Sequence, residues 1–75
     1  MSRLAGFSAR DVARVAEQLG WRLDRQSGSH LVYVHDGKAV ILVIPAHREL
    51  RPGTLRALIR AMELDVDRFL ELVRG

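Results

Sequence analysis

The sequence predicts a small α+β fold: a three-stranded antiparallel sheet with helices on one face. Three observations carry that prediction. Val12, Val15, Ala16 and Leu19 fall at i, i+3, i+4 and i+7, which is one face of a helix. Three short β-rich runs follow, separated by turn residues. Two further helical stripes close the chain, Leu55-Leu58-Ile59-Met62 and Val66-Phe69-Leu70-Val73.

Each element has its own punctuation. Ser8 is placed as an N-cap with Asp11 at the third helical position, a weak capping box. Gly20 stops that helix as a C′ residue. Trp21 to Arg25 alternates apolar and polar, as a half-buried strand does. Gln26-Ser27-Gly28-Ser29 is a turn, and His30 to His35 is a second strand. Asp36-Gly37 is a two-residue hairpin signal, and Lys38 to Ile44 is the third strand, ended by Pro45. Ala46 to Arg51 is a loop. Pro52 and Gly53 open the next helix, where proline's missing N–H has no helical partner to lose. Asp65 caps the last, short helix. The order α-β-β-β-α-α resembles the double-stranded-RNA-binding-domain fold, with one extra C-terminal helix.

The hairpin at Asp36-Gly37 pairs Val34 with Ala39, Val32 with Ile41 and His30 with Val43. Those small aliphatic residues are expected to face the helices. Leu31, Tyr33, Val40 and Leu42 are then left for the last helix or form an open sheet face for a partner protein or a second copy.

Length and charge narrow the function. Seventy-five residues are expected to form one unit over positions 1–75. With no cysteine, neither a disulfide framework nor a thiolate site exists. The longest apolar run, Ala39 to Pro45, is far short of the ~20 residues that span a bilayer. The start of the chain lacks signal-peptide shape, so a cytoplasmic location is expected. Twelve basic and nine acidic residues give +3, and eleven of the twelve are arginine. Residues 1–62 carry ten basic and five acidic side chains, and residues 63–75 carry two and four. Arginine suits bidentate phosphate contacts, so a basic body with an acidic tail points to nucleic acid. A charged, solvated surface accounts for the same numbers.

Three histidines are the side chains that titrate near neutral pH. His30 opens the middle strand after Gly28-Ser29. His47 follows Pro45 in the loop before the second long helix. His35 sits beside the hairpin turn. The expected pairing brings Gly28, Ser29, His30 and His47 to one end of the sheet, near the arginines Arg51, Arg56 and Arg60. The histidines and carboxylates show no metal-ligand spacing, and there is no Gly-rich phosphate loop or nucleophile elbow. No metal and no cofactor are expected. Trp21 and Tyr33 are either base-stacking aromatics or core.

Several segments together resemble one family. Leu19-Gly20-Trp21 and Arg25-Gln26-Ser27-Gly28-Ser29-His30 are similar to the Gly-Phe and Gly-Ser-His groups of HicA-type mRNA interferase toxins. Tyr33, His35-Asp36-Gly37, Ile44-Pro45-Ala46-His47 and Glu49-Leu50-Arg51-Pro52-Gly53-Thr54-Leu55-Arg56 continue the match in order and spacing. The resemblance implies a toxin of a type II toxin–antitoxin system: a metal-independent endoribonuclease that cleaves mRNA and is neutralised by a HicB-type antitoxin. It makes His30 the catalytic histidine, with Gly28, Ser29, Arg25, His47, Arg51 and Arg56 as RNA-binding residues. Leu31, Val34 and Glu63 depart from the family pattern, where a polar residue, a basic residue and a glycine are usual. The alternatives are a non-catalytic RNA-binding module of the same fold and a protein-interaction domain.

Overall fold

The computed structural model describes residues 3–75; Met1 and Ser2, with which the expected unit begins, lie outside the described residues. The element order is α1 (Ala9–Gln18), β1 (Arg22–Ser27), β2 (His30–Val34), β3 (Leu42–Pro45), α2 (Pro52–Ala61) and α3 (Val66–Arg74). The sheet is antiparallel in the order β1-β2-β3. This is the α+β, double-stranded-RNA-binding-type arrangement. Helices α1 and α2 cover β3, and α3 packs on α1 and α2.

Local chemistry fixes the helix ends. Both halves of the capping box form: the Asp11 N–H donates to Ser8 Oγ at 3.1 Å, and the Ser8 N–H donates to Asp11 Oδ2 at 2.9 Å. Gly20 takes φ +94, and the Trp21 N–H closes a Schellman motif on the Ala16 carbonyl at 3.0 Å. Pro52 occupies the first turn of α2 behind an Arg51 N-cap. Asp65 accepts from the Arg68 N–H at 2.8 Å and starts α3. Gln18 and Arg14 on α1 donate to the carbonyls of Leu72 and Val73, satisfying the C-terminal turn of α3.

The core lies between the helices and the inner sheet face. Val12, Val15, Ala16, Leu42, Ile44, Leu55 and Phe69 are sealed, and Trp21, Tyr33, Leu58, Ile59 and Met62 are buried around them. Each large apolar side chain buried there contributes roughly 1.5–3 kcal/mol of transfer free energy. The N-terminal segment adds Leu4, and Phe7 meets Phe69 edge-to-face at 5.5 Å. Leu50 anchors the loop before α2.

Three expectations about the sheet are corrected. First, β2 and β3 are not joined by a two-residue hairpin. Asp36-Gly37 does form a turn, with the Lys38 N–H donating to the His35 carbonyl at 3.0 Å. His35, however, leaves the strand. Its Nε2 lies 3.0 Å from the Leu19 carbonyl, its Nδ1 accepts from the Gly37 N–H at 2.9 Å, and its ring meets Trp21 edge-to-face at 5.3 Å. The connection therefore runs from residue 35 to 41, and pairing begins at Tyr33–Leu42 and continues to His30–Pro45.

Second, the core face is inverted. The register moves by two residues, which preserves the face groupings. The helices cover Tyr33, Leu42 and Ile44, while Ile41 and Val43 stand 49% and 43% exposed on the outside. Leu31 is half-buried and Val40 is exposed in the connection. So Leu31, Tyr33, Val40 and Leu42 do not form an open face. Tyr33, Leu42 and Ile44 are sealed under the helices; on the outer face Val32 is buried at 4%, while Ile41 and Val43 stay at the surface. Third, β1 is not half-buried. All six of its residues are exposed on the sheet edge, and Gln26 and Ser27 belong to the strand.

Candidate functional site

The open sheet face carries the candidate site. Gly28 and Ser29 form a two-residue turn between Ser27 and its partner His30. Gly28 takes φ +58, as the first central position of a type II′ hairpin requires. A Cβ built there meets nothing within 4 Å, so glycine is needed for its dihedral and not for space. The Ser29 carbonyl accepts from the Ala46 N–H at 2.7 Å, which ties the turn to the chain leaving β3.

His30 lies between Ser27 on β1 and Pro45 on β3. It is exposed, and its ring engages no other described side chain. Both ring nitrogens are free to meet a ligand. The imidazole lines a shallow groove of about 320 Å³ with Arg25, Ser27, Val32, Ile41 and Val43.

Arg25 reaches this groove because β1 is bulged. The pairing runs Leu23–Tyr33 and then Arg25–Val32, with Asp24 as the extra residue. Without that insertion Arg25 would pair with Leu31 and point under the helices. A bulge re-aims a side chain in this way. Arg25 Nη1 donates to Asp24 Oδ2 at 2.7 Å, which leaves the rest of its fork of donors for an anion.

The other expected residues are placed differently. His47 is exposed beyond β3 and lines a neighbouring concavity with Ser8, Ala9, Arg10, Ala46 and Arg48. Arg51 is the N-cap of α2. Arg56 lines a depression between α2 and α3 with Ile59, Arg60, Leu64, Asp65 and Val66, and does not share the His30 groove. Trp21 and Tyr33 are core residues, not stacking platforms. Tyr33 donates to Glu17 Oε2 at 3.0 Å; burial, then that carboxylate, pushes its phenol up to about 12. Lys38 beside Glu63 holds that carboxyl below its ordinary value. Sequence reasoning missed Ser27, Val32, Ile41 and Val43, because groove membership depends on the register. It also missed Arg10 and Arg48, although the Ser8 cap and the loop after Pro45 already marked two segments that could meet. Among the described residues, no group of three or more His, Cys, Asp or Glu side chains is placed to hold a metal ion. No helix among them is long and apolar enough to cross a membrane.

An α-β-β-β-α-α chain of the double-stranded-RNA-binding type, with an unengaged imidazole and an arginine on its open sheet face, is the class that fold and site define. Residues 9–64, from the first turn of α1 to the residue after Glu63, match the family described as the HicA toxin of bacterial toxin–antitoxin systems. The chain belongs to that family. Comparison with curated proteins and with solved structures gives no match.

Proposed function

We propose that this toxin-family chain is an endoribonuclease that cleaves mRNA in the cytoplasm, acting as one unit over residues 1–75, with His30 as general acid and base. The observation that supports this is the free His30 ring beside Arg25 in an open groove. Its Nε2 or Nδ1 takes the proton from a ribose 2′-OH. The 2′ oxygen then attacks the adjacent phosphorus, forming a 2′,3′-cyclic phosphate. The imidazolium returns the proton to the departing 5′ oxygen, which leaves as a 5′-OH. An imidazole both accepts and donates a proton at its ring nitrogens, as this sequence of steps requires.

Arg25 and the backbone at Gly28 and Ser29 steady the charge that develops on phosphorus. His47, outside the His30 groove, holds a flanking stretch of the strand, while Arg51 and Arg56 add only to the long-range field that attracts RNA. The step uses no metal ion, so cleavage is expected to persist in EDTA. A HicB-type antitoxin neutralises the chain by covering the face that exposes Ile41 and Val43 beside His30, not the face first expected.

The test is cleavage of a labelled single-stranded RNA and growth arrest on expression. Acid–base catalysis contributes ~10²–10⁴ in rate, or about 3–5 kcal/mol of barrier. His30→Ala is expected to lose at least ~10²-fold in cleavage, to lose toxicity, and to keep the circular dichroism spectrum of the folded chain. Cleavage at the parent rate by this variant removes His30 from the mechanism. RNA binding by the parent with no cleavage at any pH makes the chain a binding module instead.

A further inference from the structure

We infer that the concavity beside His47 is a second anion subsite, which holds a phosphate of the same RNA strand away from the bond being cut. The identity of the ligand as RNA rests on the ribonuclease reading; the presence of an anion site does not. Two backbone bonds build the concavity. The Ala9 N–H donates to the His47 carbonyl at 3.0 Å, and the Leu50 N–H donates to the Phe7 carbonyl at 2.7 Å. They clamp the loop of residues 46–50 against the start of α1, so Arg10, His47 and Arg48 line one hollow.

The cations there are not consumed by the protein. Arg3, Arg14, Arg22, Arg25, Lys38 and Arg68 each pair with a carboxylate. Arg10 and Arg48 have no such partner among the described residues. The nearest acid on α1, Asp11, is already taken by the Ser8 N–H and lies 3.8 Å from Arg14; Glu49 follows Arg48 and is exposed. The helix end adds little, because Ser8 Oγ and the His47 carbonyl occupy two of its N–H groups. The attraction comes from two guanidinium groups and an imidazole.

Continuity with the groove argues for one strand across both sites. His30 pairs with Pro45, two residues before His47, and the Ser29 carbonyl bonds the intervening Ala46. From a cross-strand Cα spacing of about 5 Å and at most ~3.6 Å per residue, the His30 and His47 Cα atoms lie within about 13 Å. A single extended strand can therefore reach both sites.

The experiment measures affinity for a short single-stranded RNA as salt is varied, in a His30→Ala background so that the strand stays intact. Each phosphate contact contributes about 0.7 to the slope of log K against log salt on a single strand. Arg10→Gln with Arg48→Gln is expected to weaken binding and flatten the slope by about 1.4. The control pair, Arg60→Gln with Arg74→Gln, removes the same charge from exposed positions elsewhere and is expected to change the slope by less than half as much. An unchanged slope in the first pair, or equal flattening in both pairs, overturns the subsite. Loss of slope in the first pair, together with a parent chain that never cleaves RNA, keeps the subsite and rejects the nuclease.

Discussion

At the scale of single residues, Trp21 poses the sharpest local question. It is 3% exposed, and among the described residues its indole Nε1 is the one buried side-chain polar atom with no partner. An unpaired buried donor costs about 1–3 kcal/mol of lost hydration. Phenylalanine keeps most of the apolar volume and omits the N–H. Trp21→Phe is therefore expected to lie within about 1 kcal/mol of the parent in urea unfolding, since relief of the orphan donor offsets the smaller ring. Trp21→Ala removes the packing outright and is expected to cost about 3–5 kcal/mol. A Phe variant as damaged as the Ala variant would mean that the indole N–H is satisfied in solution. The sequence alone marked Trp21 only as an aromatic of two possible uses. His30 stands out as a candidate through the resemblance of Gly28-Ser29-His30 to the family's Gly-Ser-His group, not through the chemistry of those three residues alone. His35 looked equivalent as a letter, but its ring is occupied by Leu19 and Gly37. Only the tertiary contacts separate the two histidines.

At the scale of elements, caps were legible and pairings were not. Ser8, Gly20, Pro52 and Asp65 act within one turn of chain, so their chemistry can be read from neighbours in sequence. The strand register instead depends on where His35 finds its partners, sixteen residues back along the chain. The bulge that turns Arg25 outward is likewise invisible in the alternation of residue types. The C-terminus of α2 offers a test of cap chemistry. Glu63 sits at φ +62, and its N–H and that of Leu64 donate to the carbonyls of Arg60 and Ile59 in a Schellman motif. That left-handed position strains any residue with a Cβ, and glycine is the usual occupant. Glu63→Gly is expected to raise the melting temperature by about 2–6 °C. Its exposed ion pair with Lys38 is lost in the process, but such pairs contribute little. Glu63→Asn, which tolerates the same dihedral, is expected to gain part of the rise. No rise in either variant would show that the Lys38 contact outweighs the backbone strain.

At the scale of the whole molecule, stability rests on the join between the sheet and the helix layer. The alternating pattern made two faces legible but did not say which one the helices cover, because both are apolar. Tyr33, Leu42 and Ile44 lie under the helices, and Ile41 and Val43 are left at the surface beside His30. Tyr33 is also the polar link across that join, from β2 to Glu17 on α1. Its folded-state value, pushed up to about 12, lies above the ordinary 10.0 of an unfolded tyrosine. The folded chain therefore holds this proton more tightly than the unfolded chain does. Its contribution is fully present below about pH 10 and is lost as pH rises from there toward 12. The slope of stability against pH in that window is negative, reaching at most about 1.4 kcal/mol per pH unit from this group. Urea unfolding of the parent between pH 9 and 12 is expected to show the decline. Tyr33→Phe is expected to cost about 0.5–1.5 kcal/mol at neutral pH through the lost hydrogen bond. It is also expected to flatten most of the alkaline decline, because no proton is then bound at that position. If the variant declines as steeply as the parent, the sheet and α1 are not joined through the neutral phenol.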